Sequence, residues 1–398
     1  MQIRGIEDLE VTGKVVFVRV DFNIPLEQGQ ITDDGRIRAS IRTIENLRGR
    51  GARIVLLAHL GRPEGSADTK FSLAPVAIRL GEILKCDVAL ASDVCGASAQ
   101  ATISGLTNGS VAMLENVRFD PRETSKDRSE RAELANCWAG MGDLFVSDGF
   151  GVVHRAQASV TELAQALPSA AGLLVHGEVT VFNKVLNSPE RPYVVILGGS
   201  KVSDKLKVIE NLIQSVDRLM VGGGMCFTFL AAQGKSVGSS LLEVEQIDNV
   251  KAILATAKKQ GVDIVLPVDV VVADKFAPDA NTDVVSVDHI PDGWMGLDIG
   301  PQSITEFVAK ISDAKTIIWN GPMGVFEMPA FATGTKSLAL AITKVGAMTV
   351  VGGGDSAAAI RLFGIADSQF SHVSTGGGAS LEFLEGKKLP GITVLEDN

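Results

Sequence analysis

Short apolar runs alternate with stretches of helical periodicity along almost the whole chain of 398 residues. The apolar runs are rich in Val and Ile, and several end in Gly, Asp, Asn or His; they include KVVFVRVDF, ARIVLLAHL, YVVILGG and TIIWNGP. The stretches between them, such as DGRIRASIRTIENLRGRG and EQIDNVKAILATAKKQG, repeat their apolar residues with the period of an α-helix. This alternation predicts an α/β fold with parallel sheets covered by helices.

A break in the pattern divides the chain into halves of similar length. AGLLVHGEVTVFNKVLN can form one helix, and SPERP ends it because Pro189 and Pro192 interrupt the backbone. A new strand begins at once. We therefore predict a first domain over residues 1–172, a hinge helix and linker over 173–192, and a second domain over 193–384.

The first strand ends in polar residues. In VVFVRVDFNIP, Arg19, Asp21 and Asn23 occupy alternate positions, and strand side chains alternate between faces, so the three are predicted to share one side. A solvated strand end is the simpler interpretation for any one of them. Open α/β sheets place ligand-binding groups at the carboxyl ends of their strands, which is the alternative for the three together.

Basic residues recur at or after the predicted strand ends of the first half. They lie in RVDFN, DDGRIR, HLGRP, ENVRFD and GFGVVHRAQAS, and they are Arg19, Arg36, His59, Arg62, Arg118, His154 and Arg155. Arginine pairs bidentately with carboxylate and phosphate, so arginines at one edge of a sheet would bind a small molecule with several negative charges. Surface ion pairs, worth about 0–1 kcal/mol each, are the alternative for each arginine taken alone.

Four glycine clusters follow apolar runs in the second half: Gly198–Gly199, Gly222–Gly224, Gly352–Gly354 and Gly376–Gly378. Glycine lets backbone N–H groups approach a ligand closely, and a helix N-terminus adds partial positive charge. The set therefore predicts a phosphate or nucleotide site. A tight strand–helix turn without a ligand is the alternative for any single loop.

The common nucleotide motifs do not fit these loops. GGGDSA contains Gly352-x-Gly354-x-x-Ala357, but the acid that would bind the ribose of NAD about 20 residues later is missing. GKS at 234–236 lacks the first glycine of a Walker loop, since Phe229 stands in its place. Protein-kinase signatures are absent as well.

Composition excludes several other classes. The net charge of −10 argues against nonspecific nucleic-acid binding, which needs Lys and Arg to neutralise phosphates. The N-terminal MQIRGIEDLEVTGK has no apolar signal core, and no run approaches the ~18 apolar residues that span a bilayer. Cys86, Cys95, Cys137 and Cys226 form no C-x-x-C pair, so they are expected to be reduced and mostly buried. A cytoplasmic protein without nucleic-acid or membrane partners is expected.

An anion site in one half and a nucleotide site in the other suit phosphoryl transfer, which depends on positioning, a metal and cations. The motifs concerned resemble the phosphoglycerate kinase family, in its bacterial type. They run from RVDFNIP through ITDDGRIRAS, AHLGRP, ENVRFD, LGGSKVSDKL, VGGGM, DIGPQSI, WNGPMGVFE and VVGGGDS to STGGGASLEFLEGKKLPG, and so cover nearly the whole chain. The resemblance implies two Rossmann-like, three-layer α/β/α domains with mainly parallel sheets, joined by a hinge helix. It also implies that residues 385–398 pack back on the first domain.

The resemblance further implies reversible phosphoryl transfer between Mg-ATP and the carboxylate of 3-phosphoglycerate, which gives 1,3-bisphosphoglycerate and ADP by domain closure and in-line transfer. In glycolysis this reaction runs toward ATP. The first domain would bind 3-phosphoglycerate and the second the nucleotide, in a monomer. The implied substrate-binding residues are Asp21, Phe22, Asn23, Arg36, His59, Leu60, Gly61, Arg62, Arg118, His154 and Arg155. The implied nucleotide-binding residues are Lys201, Lys205, Gly223, Gly324, Glu327, Gly353, Gly354, Asp355 and Ser356, with Asp355 as the magnesium ligand. The implied catalytic residues are Arg36, Lys201, Lys205, Gly376 and Gly377.

No general base is expected, because the attacking carboxylate is already ionised at neutral pH. Asp21 is expected to accept a hydrogen bond from the substrate hydroxyl, and Asn23 to make a neutral contact. Arg19 is interpreted as a structural ion-pair partner, and Arg36 as a cation of the transition state. A catalytically silent nucleotide-binding protein of the same fold and an NAD-dependent dehydrogenase are the alternatives. The implied catalytic residues argue against the first, and the missing ribose acid argues against the second.

Two positions depart from the family pattern. Val152-Val153 stands in GFGVVHRA where members commonly carry Thr-Ala, so any hydrogen bond of the threonine hydroxyl is lost. Cys226 stands where a small residue such as alanine is usual, and we expect it to pack rather than to react because no base is evident beside it.

Overall fold

The computed structural model of the protein describes residues 3–63 and 65–396. By its internal contacts the chain divides into two units, Met1–Thr180 with Lys388–Asn398, and Val181–Lys387. Each unit is built around a six-stranded sheet in which all neighbouring strands run parallel. The predicted α/β fold with mainly parallel sheets is confirmed.

The sheet of the first unit has the strand order β5-β6-β4-β1-β7-β8, and β2 and β3 form a separate hairpin. Because β4 and β7 lie on opposite sides of β1, the chain order reverses there, and such a reversal opens a crevice at the carboxyl ends of the strands. The strands are β1 (Val15–Arg19), β2 (Leu26–Glu27), β3 (Gln30–Ile31), β4 (Arg53–Leu57), β5 (Val88–Leu90), β6 (Val111–Met113), β7 (Leu144–Ser147) and β8 (Ser169–Ala171). The helices are α1 (Gly35–Gly49), α2 (Ala74–Leu84), α3 (Ala97–Ser104), α4 (Arg128–Ala139), α5 (Leu163–Ala166) and α6 (Leu173–Asn187).

Strand β1 is buried at all five positions. Val16 and Val18 are fully buried in one hydrophobic cluster with Ile54 and Leu56 of β4, and burying such a side chain contributes about 1.5–3 kcal/mol. The cluster fixes the register in which Val16 pairs with Ile54 and Val18 with Leu56. The position of β1 at the centre of the sheet follows from this burial on both faces.

The strand ends at Arg19, earlier than the sequence suggested. Asp21 and Asn23 lie in the turn that follows, where the Asn23 N–H donates to Asp21 Oδ1 at 3.2 Å. The prediction that Arg19, Asp21 and Asn23 share one face of a strand is therefore wrong. The reason is local: the aspartate side chain offers the backbone a hydrogen bond that competes with the sheet.

The sheet of the second unit has the strand order β11-β10-β9-β15-β16-β17, so the chain order reverses at β9. A small antiparallel sheet with the order β13-β12-β14 lies in the same unit. The strands are β9 (Tyr193–Leu197), β10 (Arg218–Val221), β11 (Asp263–Val265), β12 (Asp269–Ala273), β13 (Thr282–Ser286), β14 (Met295–Ile299), β15 (Thr316–Asn320), β16 (Met348–Gly352) and β17 (His372–Val373). The helices are α7 (Leu206–Leu212), α8 (Cys226–Ala232), α9 (Ile247–Gln260), α10 (Pro301–Ile311), α11 (Thr333–Ile342), α12 (Gly354–Leu362) and α13 (Gly378–Leu384).

The stretch DIVLPVDVVVA, predicted as one strand, forms two strands that belong to different sheets. Pro267 lies between β11 and β12, and proline cannot donate a ladder hydrogen bond. The predicted long helix after residue 171 is confirmed as α6. It begins in the first unit and ends in the second.

The C-terminal segment contains the short helix α14 (Pro390–Thr393) and groups with the first unit. The Gly391 N–H donates to the Val153 carbonyl at 2.8 Å, and a Cβ on Gly391 would lie 2.9 Å from the Val153 Cα. Val152 and Val153 are both buried. The two valines that replace the usual Thr-Ala thus fill apolar space beside the C-terminal segment.

Two of the four cysteines form a disulfide, Cys95 with Cys137, and their Cα atoms are 6.4 Å apart. The expectation that all four are reduced is therefore wrong. The pair is separated by 42 residues, so only the packing of α4 against the loop after β5 brings the two together. Cys226 is buried, as expected, and Cys86 is half-buried.

No helix in the described part of the chain combines the length and apolar character needed to cross a membrane.

Candidate active site

The turns after β1, β4, β6 and β7 bring the predicted basic residues of the first unit to one edge of its sheet. We call this region the basic edge. It comprises Asp21–Asn23, Arg36 in the first turn of α1, His59–Arg62, Arg118 and His154–Arg155. Because the four strands are parallel neighbours, their carboxyl ends meet on either side of the reversal at β1.

Arg36 is held by the turn after β1. Its Nη1 donates to both carboxylate oxygens of Asp21 at 3.0 Å and to the Asn23 carbonyl at 3.1 Å. Asp21 is 8% exposed, so this ion pair is more strongly shielded from water than an ordinary surface pair. The Asn23 amide oxygen accepts the Gly61 N–H at 2.8 Å, which ties the turn after β1 to the turn after β4.

Arg19 is fully buried and supports His59 from below the edge. Its Nη2 lies 3.2 Å from His59 Nδ1, and its Nε donates to Ser159 Oγ at 2.7 Å. Ser159 in turn donates to Glu123 through its hydroxyl at 2.6 Å and its N–H at 2.9 Å. The interpretation of Arg19 as a structural residue agrees with these contacts, although a serine stands between the two charges.

Burial and neighbouring charge shift several pKa values at this edge. Burial, followed by the charge of Arg19 and three further arginines, holds the pKa of His59 well below 6.5. Burial lowers the pKa of Arg118 to about 10, and repulsion by Arg19 and Arg155 adds to the effect. Burial likewise raises the pKa of Glu123, against the attraction of Arg19. Such an accumulation of cations in a poorly hydrated place is the arrangement that binds anions.

Gly61 and Arg118 fit together through their backbone and side chain. Arg118 Nη1 donates to the Gly61 carbonyl at 2.6 Å. Gly61 has φ +61°, and a Cβ there would lie 2.4 Å from the ring of Phe71, so only glycine suits this position. Asn116, which the sequence reading missed, donates from Nδ2 to the Leu60 carbonyl at 2.8 Å and accepts the Arg118 N–H at 3.1 Å. The position of this asparagine in ENVRFD, two residues before a candidate arginine, was the available signal.

The predicted residues of the basic edge differ in what they expose. Phe22 and Leu60 are buried in the hydrophobic core, so only their backbone atoms are available to a ligand. Arg62 and Arg155 are exposed, and Arg155 Nε donates to His154 Nε2 at 3.1 Å. The edge thus has a buried, fixed inner part and an outer part with longer reach.

The second unit contains a cavity of about 380 Å³ at the carboxyl ends of β9, β15 and β16. We call it the glycine cavity. It contains the predicted residues Lys201, Lys205, Gly353, Gly354, Asp355, Ser356 and Gly377. Helix α12 begins at Gly354, so its N-terminal N–H groups and partial positive charge lie at this cavity.

The loops after β9 and β15 approach each other so closely that side chains are excluded. A Cβ on Gly198 would lie 2.0 Å from the Pro322 carbonyl oxygen. The Ser356 hydroxyl accepts the Gly321 N–H at 2.7 Å and ties α12 to the same loop. Glycines in these loops are therefore needed for the packing that forms the cavity, as well as for access to a ligand.

Lys205 is half-buried and donates to the Asn320 amide oxygen. Burial lowers the pKa of Lys205 to about 8, and Asp355, Asp204 and Glu385 oppose this shift. Asn320 is 2% exposed, and its Nδ2 has no hydrogen-bond partner among the described residues. Because a buried donor without a partner is costly, Nδ2 is suited to meet an acceptor oxygen of a ligand in the cavity. The sequence reading missed Asn320, although its place at the end of a predicted strand, in WNGP, was a usable signal.

Four predicted residues lie outside the lining of the glycine cavity: Gly223, Gly324, Glu327 and Gly376. The Gly223 N–H donates to the Met323 carbonyl at 3.0 Å, and the Gly376 N–H donates to Ser374 Oγ at 3.1 Å. Glu327 is exposed. A second cavity of about 540 Å³, lined by Leu230, Lys235, Val285 and Asp288 among others, contains none of the predicted residues.

The donor set of the glycine cavity fits a magnesium ion that arrives with a nucleotide. Among the described residues, no group of three or more His, Cys, Asp or Glu side chains is placed to hold a metal ion. Asp355 and Asp204 are the carboxylates of the cavity. Mg²⁺ characteristically takes one or two protein carboxylates and completes its shell with phosphates and water.

One unit has a parallel sheet with a basic edge, and the other has a parallel sheet with a glycine-lined cavity that holds two lysines and two aspartates. These features define a phosphate-handling α/β enzyme. The family model described as phosphoglycerate kinase matches residues 6–387. The chain belongs to the phosphoglycerate kinase family.

Individual relatives agree over nearly the full length. The chain is 58% identical to the phosphoglycerate kinase of Leifsonia xyli over 401 residues, which cover 99% of this chain and all of that protein. It is 57% identical to that of Rhodococcus jostii over 406 residues, which cover both chains fully. The solved phosphoglycerate kinase of Coxiella burnetii matches with a TM-score of 0.90 and 41% identity, covering 99% of both chains. The solved phosphoglycerate kinase of Pyrococcus horikoshii matches with a TM-score of 0.87 and 32% identity, covering 99% of this chain and 98% of the other.

Proposed function

We propose that the protein transfers a phosphoryl group reversibly between Mg-ATP and the carboxylate of 3-phosphoglycerate, giving ADP and 1,3-bisphosphoglycerate. The observation that carries the proposal is the family match over residues 6–387. The charge distribution supports it, because the chain as a whole is acidic while its candidate sites are locally rich in cations.

In this proposal the basic edge binds 3-phosphoglycerate. His59, Arg62, Arg118 and Arg155 hold its phosphate and orient it. The short Arg118–Gly61 contact and the buried Arg19 support this role, since they limit the motion of the inner cations before substrate arrives. Asp21 accepts a hydrogen bond from the substrate hydroxyl, and the further lone pairs of its carboxylate allow this beside Arg36.

The glycine cavity binds the nucleotide phosphates. Lys201 and Lys205 neutralise their charge, the N-terminus of α12 contributes backbone N–H groups, and Glu327 holds the ribose. Asp355 is the protein ligand for Mg²⁺. When bound, the ion neutralises charge on the phosphate oxygens.

No general base is needed for the transfer. The carboxylate of 3-phosphoglycerate is ionised at neutral pH and attacks the terminal phosphorus directly. Arg36 and Lys205 stabilise the negative charge that develops on the phosphoryl oxygens. Of the two predicted glycines in the next loop, Gly377 lines the cavity and supplies a backbone N–H group there, whereas Gly376 supports the turn because its own N–H is bonded to Ser374 Oγ. Groups that act mainly on the transition state raise turnover more than affinity, which separates Arg36 from the binding arginines.

The test is ADP formation from Mg-ATP with and without 3-phosphoglycerate, with hydroxylamine present to trap any acyl phosphate. We expect substrate-dependent ADP and hydroxamate in equal amounts. Nucleotide binding without hydroxamate would reject the proposed reaction and leave a binding protein of the same fold, or a kinase for another acid.

We further propose that the protein acts as a monomer in the cytoplasm and without nucleic-acid partners. Light scattering of the purified protein would test the monomer, and fractionation of cells would test the location. A dimer in solution or a membrane-bound fraction would overturn the corresponding statement.

A further inference from the structure

His59 contacts a buried arginine side chain that can donate hydrogen bonds but cannot accept them. Arg19 Nη2 lies 3.2 Å from His59 Nδ1. A guanidinium group has five N–H donors and no acceptor, so in this contact Nδ1 must be the acceptor. A neutral imidazole that accepts at Nδ1 carries its proton at Nε2.

Arg19 has no freedom to turn away. Its Nε is bonded to Ser159 Oγ at 2.7 Å, its Nη1 donates to the Val20 carbonyl, and the guanidinium is fully buried. Ser159 is fixed by two hydrogen bonds to Glu123. Arg19 is thus held below the basic edge by several contacts, of which the bond to Ser159 is only one, and it is Arg19 alone of these side chains that contacts His59.

From this geometry we infer that Arg19 is a positioning residue that locks His59 in the neutral Nε2–H tautomer, so that His59 offers the substrate an uncharged hydrogen-bond donor. The inference deepens the proposed function and rests on it only for the identity of the substrate. His59 thereby differs from the arginines of the basic edge, which remain charged.

The surrounding charges act in the same direction. The charges that act most strongly on His59 come from β1, α1, the turn after β6 and the turn after β7, and they are the cations Arg19, Arg118, Arg36 and Arg155. The carboxylates Asp21 and Glu123 interact with Arg19. If His59 carried a proton on Nδ1, this N–H would point at the Arg19 guanidinium at hydrogen-bond distance. The guanidinium could not accept a hydrogen bond from it.

The direct test is nitrogen NMR of histidine side chains in the ligand-free protein, between about pH 5.5 and 8.5, on either side of the ordinary histidine pKa of about 6.5. The chain has five histidines, and His59→Gln assigns the signal. We expect Nδ1 to appear unprotonated and Nε2 protonated over the whole range. A protonated Nδ1, or a titration near pH 6.5, would overturn the inference.

Two variants separate positioning from mere stability. Arg19→Lys keeps a positive charge near Glu123 but cannot bond Ser159 and His59 together. Ser159→Ala weakens the same buried cluster and leaves the Arg19–His59 contact in place. We expect only Arg19→Lys to release the tautomer and make the KM for 3-phosphoglycerate depend on pH between about 5.5 and 7.5. If the two variants behaved equally, Arg19 would be a structural residue and would have no positioning role. If Arg19→Lys does not fold, the NMR measurement on the wild-type protein still decides which nitrogen of His59 carries the proton.

Substitution of His59 itself gives an independent result. A glutamine amide carries one acceptor and one donor group, as the neutral imidazole does, so His59→Gln should keep the KM within about threefold. His59→Leu should raise it by about tenfold, as expected for one lost hydrogen bond to a charged group. If Gln and Leu were equally harmful, the charge of His59 would matter and the inference would fail. A wild-type protein inactive with 3-phosphoglycerate would instead refute the proposed function, and the tautomer would remain measurable.

Discussion

Raising the pH through about 8 is expected to remove the positive charge of Lys205 and to slow the proposed reaction. Burial lowers the pKa of this lysine to about 8 in the free protein. The protonated amine is the form that neutralises phosphate, and kcat/KM reports the ionisation of the free enzyme. The value of kcat/KM for Mg-ATP should therefore fall about tenfold for each pH unit above 8. Bound phosphates favour the charged amine, so kcat itself should stay level to higher pH.

Three variants identify the group. Lys205→Arg keeps its positive charge over the whole pH range, so kcat/KM should no longer fall at alkaline pH. Its turnover should be lower, because a planar guanidinium group does not replace a compact ammonium group. Lys205→Met should lower kcat by about 10²–10³-fold, the usual effect of removing one electrostatic stabiliser of a transition state, and should also lose the fall. Lys201→Met is the matched control: Lys201 is exposed in the same cavity, so its loss should weaken nucleotide affinity and leave the fall in place.

The assay is the initial rate of ADP release at saturating 3-phosphoglycerate and constant ionic strength, from about pH 7 to 9.5, above the phosphate pKa of about 6. A fall with the same midpoint in Lys205→Arg, or a level wild-type profile, would refute the reasoning.

The pH dependence of the free energy of unfolding gives a second check. The unfolded lysine holds its proton up to about pH 10.4, beyond the folded one, so between 8 and 10.4 the unfolded state binds more protons. Stability relative to Lys205→Met should accordingly rise with pH in this window.

Three further substitutions test other parts of the molecule. Arg36→Ala should lower kcat by about 10³–10⁵-fold with a smaller change in the KM for 3-phosphoglycerate; steady-state kinetics that showed only a higher KM would make Arg36 a binding residue. Gly198→Ala would place a Cβ 2.0 Å from the Pro322 carbonyl oxygen and should cost about 1–3 kcal/mol of stability in urea denaturation together with nucleotide affinity. Gly346→Ala, where no heavy atom lies within 4 Å of the Cβ position, should change neither. Cys95→Ser should cost about 4 kcal/mol under oxidising conditions, from the chain entropy of a 42-residue loop; reduced wild-type protein should match it, and Cys86→Ser should remain as stable as the oxidised wild type.

The sequence is informative where one local signal determines the structure. Strands β1 and β9 are apolar runs buried along their whole length, and both were predicted because a strand covered on two faces needs such a run. Helices α1 and α9 show helical periodicity, and they form as expected. The gathering of arginines at one edge also followed from the sequence, because parallel strands bring their carboxyl ends together whatever the details of packing.

The rest depends on contacts between distant parts of the chain. Strand β13 is largely exposed, so it carries little apolar pattern for a sequence reading to detect. The disulfide joins residues 42 positions apart. Asn116 and Asn320 are buried polar residues, and burial of a single amide cannot be read from its neighbours. The position of Asp21 in a turn reflects a competition between its side chain and the sheet, which composition alone does not decide.

The two cations assigned to the transfer differ in what holds them before substrates bind. Arg36 is bound to the carboxylate of Asp21, whereas Lys205 is bound to the neutral amide of Asn320. A largely buried carboxylate that loses its cation is costly, so an anion that draws Arg36 away must also satisfy Asp21. In the proposed reaction, the hydroxyl of 3-phosphoglycerate is a donor suited to this purpose. An amide oxygen left free costs far less, about 1–3 kcal/mol, so no such condition applies to Lys205. Under the proposed function, a hydroxyl donor on the ligand is therefore required at the basic edge, whereas the contact between Lys205 and Asn320 sets no such requirement in the glycine cavity.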